Sequence, residues 1–172
     1  RYMHPDNINL NDQKVYENVW GKGKFLGVFQ FSELFARNFA MRAKPTSINN
    51  ISALTSICRP GPLSLGVDKD WIENKNNPGN VSYRHPILRE ILSSTYGNLV
   101  YQDQLMMIGK ELGKLSWKQA DKLRKVMVPK SRGDLGAKDK KDDLFDAFVK
   151  GCVENGLQEE EAVGLWNQLG AH

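Results

Sequence analysis

The sequence predicts a mainly α-helical fold, and three observations support that prediction. Apolar residues recur at helical spacing through most of the 172-residue chain. Capping residues, prolines and glycines fall between these periodic segments, where helices begin and end. Clear alternation of apolar and polar residues never extends beyond a few positions. We therefore expect a multi-helix domain with at most short strands near residues 25–30.

The chain begins with a short capped helix and a glycine-rich connection. Asp12 is placed to cap a helix that runs to Val19. The segment GKGKFLGVFQ (21–30) is too rich in glycine for a helix and predicts a turn or a short strand.

Two amphipathic helices follow in the N-terminal third. Thr46 or Ser47 opens the second of them, and the prolines of RPGPL (59–63) stop it. The apolar positions that indicate the two helices are Phe31, Leu34, Phe35 and Phe39, and then Ile48, Ile51, Leu54 and Ile57.

The rest of the chain predicts further helices behind the polar segment ENKNNPGN (73–80). Ser116 and Gln119 have the spacing of a capping box. Gly156 closes the segment DDLFDAFVKGCVENG (142–156), and EEEAVGLWNQL (159–169) is the last helix. The predicted buried positions before and after Ser116 are Val100, Leu105, Ile108 and Leu112, and then Trp117, Ala120, Leu123 and Met127.

Charge is distributed unevenly along the chain. The net charge is only +4, but residues 109–132 carry eight bases and two acids, whereas residues 138–161 carry four lysines and eight acids. Helical spacing places Lys118, Lys122 and Lys125 on one face, and Arg124 beside the apolar stripe. Such a polarised molecule suits a polyanionic partner. Solvated lysines on an ordinary helix remain the alternative when charge is considered alone.

Signatures of catalysis, metal binding and membrane insertion are not apparent in the sequence. GKGKFLG (21–27) lacks the glycine spacing of a phosphate-binding loop. The three histidines have no cysteine or acid at ligand spacing, and Asp142, Asp143 and Asp146 fit compensation of a helix dipole. No segment is apolar enough to span a membrane. Cys58 and Cys152 are expected to be buried reduced thiols in a cytoplasmic protein. The residues by themselves predict a binding lobe.

Five motifs occur in an order that resembles one known family. They are GVFQ (27–30), KPTSINNISALTSICRPGPL (44–63), HPILREILSSTYGNLVYQDQLMMI (85–108), ADKLRKVM (120–127) and the helical segment that ends in ENG (154–156). Together they resemble the alpha subunit of bacterial replicative DNA polymerase III, a C-family polymerase, over residues 10–169. The resemblance implies that residues 1–172 are a helical fingers domain. In it, residues 1–63 would lie near the palm and residues 64–172 would face the nucleotide.

The resemblance also implies the roles of particular residues. Arg124 matches the first arginine of the family's LRR motif and is expected to contact the triphosphate of an incoming dNTP. Lys125 stands where the family has a second arginine, and Lys130 lies in VPK where the family has GKK. Arg59 of RPGPL is expected either to meet phosphate or to tie a helix end to its neighbour.

Six further residues are expected near the nascent base pair or the DNA. For the first three of them, a polar face on a mostly buried helix is the alternative interpretation. The six are Tyr101, Gln102, Gln104, Lys118, Lys122 and Arg132.

The implied partners are dNTP, primer-template DNA and the remaining polymerase domains, with a sliding clamp bound through regions outside this chain. The palm, PHP and C-terminal domains are expected to lie outside the chain. The palm would carry the Mg²⁺ ions, so no cofactor is expected here, and the chain alone should not act as a DNA-directed DNA polymerase. A stand-alone nucleic-acid-binding module and a protein-interaction lobe are the alternatives.

Overall fold

A computed structural model describes residues 4–59, 63, 66–127 and 138–170, without the side chains of residues 5 and 138–142. The chain divides after Asn76 into an N-terminal and a C-terminal unit. The described residues are mainly helical and contain no strand, which confirms the predicted fold class. The described helices include none that is long and apolar enough to cross a bilayer.

The N-terminal unit begins with the short helix that the sequence predicts. Asp12 caps it by accepting a hydrogen bond from the backbone N–H of Lys14 at 3.0 Å. Residues 21–30 form turns. The helices of this unit are α1 (Gln13–Val15, continued by a π-helical turn at Tyr16–Trp20), α2 (Leu34–Ala43), α3 (Ile48–Ile57) and α4 (Val67–Asn76).

The buried faces of α2 and α3 differ from the predicted stripes at their first turns. Leu34, Phe35 and Ile48 are exposed, although their spacing predicted amphipathic positions. Each lies in the first two residues of its helix, ahead of the part that packs. The buried residues begin at the third position of each helix and recur at helical spacing. They are Ala36, Phe39, Ala40 and Ala43 in α2, and Asn50, Ala53, Leu54 and Ile57 in α3.

The C-terminal unit contains five helices among its described residues, and its core is formed by their apolar faces. Val100, Leu105, Ile108 and Leu112 are buried, as predicted. The helices are α5 (Pro86–Leu92), α6 (Gln102–Met107, continued by a π-helical turn at Ile108–Leu112), α7 (Trp117–Met127), α8 (Lys138–Glu154) and α9 (Glu159–Gly170).

The two cysteines have different environments. Cys152 is fully buried in the C-terminal core, as predicted, and burial raises the pKa of its thiol to about 12. Cys58 is only partly buried, so the prediction of burial is wrong for it. Desolvation and the nearby Asp68 carboxylate raise the pKa of the Cys58 thiol to about 11.

Gly109 in the extended α6 and Gly113 directly after it allow close packing with α7 and α8. A Cβ added at Gly109 would lie 2.8 Å from Leu123 Cδ2 of α7. A Cβ added at Gly113, just past the π-helical turn, would lie 2.4 Å from Phe148 Cδ2 of α8. A Cβ added at Gly151 of α8 would lie only 1.9 Å from the Gly113 backbone oxygen. The backbones of the two segments therefore touch where Gly113 and Gly151 meet.

Side chains at the end of α8 secure the same junction. Asn155 donates hydrogen bonds from Nδ2 to the backbone oxygens of Glu111 at 2.9 Å and Leu112 at 2.7 Å. These carbonyls belong to the last turn of a helix and have no helical partner of their own. His85, the cap of α5, places Nε2 3.0 Å from the Asn155 backbone oxygen.

We predict that Gly151→Ala lowers the free energy of unfolding by about 3 kcal/mol or more, because the added methyl group meets backbone that has no room to move. Gly164→Ala in α9 is the matched control, since the nearest atom to its added Cβ is the end of a flexible side chain, Arg84 Nη1 at 3.7 Å. That substitution should raise stability by about 0.5–1 kcal/mol. Urea unfolding followed by circular dichroism measures both. Equal stabilities of the two variants would contradict the close contact.

Candidate functional site

Helix α7 separates a buried face from a basic face. Ala120, Leu123 and Met127 are buried against the core. At about 100° per residue, Lys118, Lys122 and Lys125 lie about 130–175° from the centre of that stripe. Lys118 and Lys125 are exposed, and Lys122 is half-buried. The three lysines therefore lie on one face of this helix, as predicted.

The N-terminus of α7 is capped as the sequence predicts. Gln119 donates its backbone N–H to Ser116 Oγ at 3.3 Å, and Gln119 Oε1 accepts from the Ser116 backbone N–H at 2.9 Å. Trp117, the first residue of the helix, departs from the prediction because it is 54% exposed. Its position is about 90° from the centre of the buried stripe, so it lies at the edge of the packed face.

Asp121 joins the two residues of α7 that were predicted to bind triphosphate. Arg124 donates to Asp121 Oδ1 from Nε at 3.1 Å and from Nη2 at 2.7 Å. Lys125 Nζ lies 2.6 Å from Asp121 Oδ2. The three charges therefore form a triad with a net charge of +1. Sequence reasoning missed this role of Asp121, although spacings of three and four residues are those of helical ion pairs.

Gln102, at the start of α6, contacts the same arginine. Arg124 donates from Nη1 to Gln102 Oε1 at 3.3 Å. A guanidinium has five N–H groups, and three of them are used by Asp121 and Gln102. Among the described residues, nothing accepts from the remaining two, one on each terminal nitrogen. Because only 22% of the Arg124 side chain is exposed, the head group lies at the surface of a packed region.

The contacts with Lys125 and Arg124 lower the pKa of the Asp121 carboxyl. Hydrogen bonds from Lys125 first, and then from Arg124, hold the pKa of Asp121 below its usual range. Both donors favour the charged form, and their positive charges act in the same direction. At neutral pH the Asp121 carboxyl is therefore charged.

Gln104 has a structural position in this unit. Its side chain is buried, and Oε1 accepts from the backbone N–H groups of Val100 at 2.9 Å and Tyr101 at 3.0 Å. Its Nε2 donates to Thr95 Oγ1 at 2.8 Å and to the Ile91 backbone oxygen at 3.3 Å. The amide has used its hydrogen-bonding capacity inside the protein, in keeping with the polar-face alternative.

The other predicted residues have different positions. Tyr101 is half-buried at the N-cap of α6. Arg59 belongs to the N-terminal unit, where its Nε donates to the Ser56 backbone oxygen at 2.8 Å and ties the end of α3. Its contact with phosphate stays a prediction. Lys130 and Arg132 lie outside the described residues.

Carboxylates do not gather into a metal centre in the described parts of the chain, where no three His, Cys, Asp or Glu side chains are close enough to hold an ion. Asp143 and Asp146 lie beyond the first turn of α8, which begins at Lys138. Compensation of the helix dipole therefore does not explain them, because that effect is confined to the first turn.

The amino-acid sequence of the chain is similar to that of known proteins. The model of the family described as "Bacterial DNA polymerase III alpha subunit finger domain" matches residues 1–156. The chain belongs to this family. It is 36% identical over 166 residues to the DNA polymerase III subunit alpha of Mycobacterium leprae and 36% identical over 162 residues to that of Aquifex aeolicus. Each of these matches covers 94% of the chain.

The relatives are much longer than this fingers domain. The matched parts make up 14% of the Mycobacterium leprae subunit and 13% of the Aquifex aeolicus subunit. A third relative, the DNA polymerase III subunit alpha of Staphylococcus aureus strain Mu50, is 34% identical over 155 residues, which are 90% of this chain and 14% of the relative. The family resemblance inferred from the five motifs is confirmed.

We predict that Lys125→Ala raises the pKa of Asp121 toward its usual range, and that Arg124→Ala raises it less. The reason is that Lys125 makes the larger contribution to the lowered value. A carboxyl whose pKa is depressed in the folded state adds stability above its unfolded pKa, and that stability is lost as the pH falls through the folded pKa. Titration of the carboxyl carbon by NMR measures the shift. Lys122→Ala is the control, and a change in it equal to that of Lys125→Ala would refute the triad.

We also predict that Gln104→Leu lowers the free energy of unfolding by about 2 kcal/mol or more, because it leaves several buried polar groups without partners. Gln168→Leu is the matched control, because Gln168 is exposed on α9, and it should stay within about 0.5 kcal/mol of the parent chain. Thermal or urea unfolding compares the two. A neutral Gln104→Leu variant would show that its amide is dispensable.

Proposed function

We propose that this fingers domain binds the triphosphate of an incoming dNTP at Arg124 and primer-template DNA along Lys118 and Lys122, as part of a replicative DNA polymerase. The observation that carries the proposal is the Arg124 guanidinium. Asp121 and Gln102 fix one part of it, and no described residue accepts from its two remaining N–H groups. Membership of the polymerase family supports the choice of ligand.

The chemistry of the guanidinium suits a phosphate group. Two N–H groups on neighbouring nitrogens match two oxygens of one phosphate, which a lysine cannot do. Lys125 adds a point charge four residues from Asp121 and one residue from Arg124. Because Asp121 neutralises one of the two cations, the pair keeps a single positive charge and relies on geometry for its affinity.

The role fits what phosphoryl transfer requires of a protein. Most of the catalytic effect comes from positioning and from stabilising the charge that spreads over the phosphate oxygens. A guanidinium held in one orientation supplies both at the triphosphate. The other reacting group, the 3′ hydroxyl of the primer, would be brought by the DNA.

Several of the residues predicted from the sequence remain in the proposal. Lys130 and Arg59 stay as triphosphate contacts, and Tyr101, Gln102 and Arg132 stay near the nascent base pair or the DNA. Gln104 leaves this set, because its amide is used within the protein.

Other regions of a longer polymerase would carry out the remaining parts of the reaction. Mg²⁺ would be held by carboxylates of the palm, as the family resemblance implies. The sliding clamp would bind elsewhere on that polymerase, and the complex would act in the cytoplasm.

We predict that Arg124→Ala, introduced into a polymerase that contains this domain, raises the KM for dNTP by about tenfold or more and lowers turnover. Hydrogen bonds to a charged partner contribute about 1.5–3 kcal/mol, which corresponds to that change. Steady-state primer extension at varied dNTP concentration measures the effect.

Arg89→Ala is the matched control, because Arg89 is an exposed arginine of the same unit on α5. Its nucleotide dependence should equal that of the parent. The Arg124→Lys variant should lie between the two, since it keeps the charge and loses the paired donors. An unchanged nucleotide dependence for Arg124→Ala, in a variant that folds normally, would refute the assignment.

A further inference from the structure

Trp117 differs from the other tryptophans of the chain. The sequence has four, all among the described residues, and Trp20, Trp71 and Trp166 are at most 7% exposed. Trp117 is 54% exposed at the first turn of α7. Packing of the core does not account for a large aromatic ring at this position, because the buried stripe of α7 is complete without it.

The ring lies among cations. Lys110 Nζ is 5.2 Å from the centroid of the Trp117 ring, within the range of a cation–π contact. The next residue, Lys118, is exposed and has no ion pair among the described residues. The basic face formed by Lys118, Lys122 and Lys125 begins directly beside the indole.

Three acids near this surface form ion pairs with cations. Glu111 Oε1 lies 2.7 Å from Lys110 Nζ, and Asp121 is shared by Arg124 and Lys125. Lys114, the other lysine before the helix, is 3.3 Å from Glu154. The Lys110–Glu111 and Lys114–Glu154 pairs are neutral overall, so a partner that approaches Trp117 meets an aromatic ring beside the exposed cation of Lys118.

We propose that Trp117 is a stacking platform for a base of single-stranded DNA, which would lie on the ring face away from Lys110, with Lys118 contacting a phosphate beside that base. An aromatic ring beside a positively charged track is the combination that binds single strands, because every base has a face that can stack and every nucleotide carries a phosphate. Paired bases in a duplex are already stacked and do not present that face. The site thus selects an unpaired strand without selecting its sequence.

This inference rests on the proposed function and deepens its DNA-binding part, since a template ahead of the primer end is single-stranded and Lys118 serves in both, but its test residue, Trp117, is distinct from Arg124. The Arg124 site takes a triphosphate, whereas Trp117 takes a base within a strand. The two sites can therefore be removed one at a time.

The test uses the full 172-residue chain and a mixed-sequence single-stranded oligodeoxynucleotide, with tryptophan emission as the readout. Because the other three indoles are buried, stacking on Trp117 should quench the emission in a saturable way. Salt should weaken the binding, since it competes for the phosphates. The same strand in a duplex, and dATP at equal base concentration, should leave the emission unchanged.

Two substitutions separate stacking from simple apolar contact. Trp117→Leu keeps an apolar side chain but cannot stack, so the Kd for a labelled strand, measured by fluorescence anisotropy, should rise by about 5- to 150-fold. Trp117→Phe can stack and should stay much closer to the parent. Both variants should keep the circular dichroism spectrum of the parent, because 54% of the Trp117 residue is exposed.

Equal strand affinity in Trp117→Leu and the parent would overturn the inference, as would quenching by the duplex or by dATP as strong as that by the single strand. If Arg124→Ala still raises the KM for dNTP in that case, the proposed function stands without this site. Saturable quenching together with an unchanged nucleotide dependence in Arg124→Ala would instead support Trp117 and remove the triphosphate assignment.

Discussion

The contact between the backbones of Gly113 and Gly151 is the constraint on which the C-terminal unit depends. It brings the end of the extended α6 against the last turn of α8 more closely than any side chain would permit. The chain then turns through Lys114, whose φ of 50° lies in the left-handed region, and enters the capped start of α7 two residues later. The position of α7 therefore follows from a crossing that only glycine allows.

The contact between Gly113 and Gly151 also determines the geometry of the candidate site. Gly109, one turn earlier on α6, lets α7 approach closely, so that the start of α6 and the middle of α7 lie side by side. Gln102 reaches Arg124 across this packed interface, and Asp121 holds the same guanidinium from within α7. One contact depends on tertiary structure, and the other depends only on the helix.

The sequence predicts features that depend on local chemistry. Asp12, Ser47 and Ser116 each cap a helix as expected, because a side chain near the first free N–H groups needs no distant partner. Leu34, Ile48 and Trp117 were assigned to apolar stripes and are exposed. Each is the first residue of its helix, and helical spacing cannot say whether another element covers that turn.

The same division applies to the site. The pairing of Asp121 with Arg124 and Lys125 could have been predicted, because spacings of three and four residues favour ion pairs on a helix. The contact between Gln102 and Arg124 could not, because these residues are 22 positions apart in the sequence. The environment of Gln104 could not be predicted from the sequence either. Its place in the YQDQ motif left open both a position near the nascent base pair and a polar face on a mostly buried helix. The hydrogen bond to Thr95 supports the second, and the helical pattern does not describe the turn that provides it.

The two restraints on Arg124 also have an entropic consequence. A free arginine side chain has about 2 kcal/mol of rotamer entropy, which is lost when a ligand orders it. Here Asp121 and Gln102 order the side chain when the protein folds. An anion that binds to the two remaining N–H groups meets a side chain whose freedom is already reduced, so less of the binding free energy is spent on ordering it.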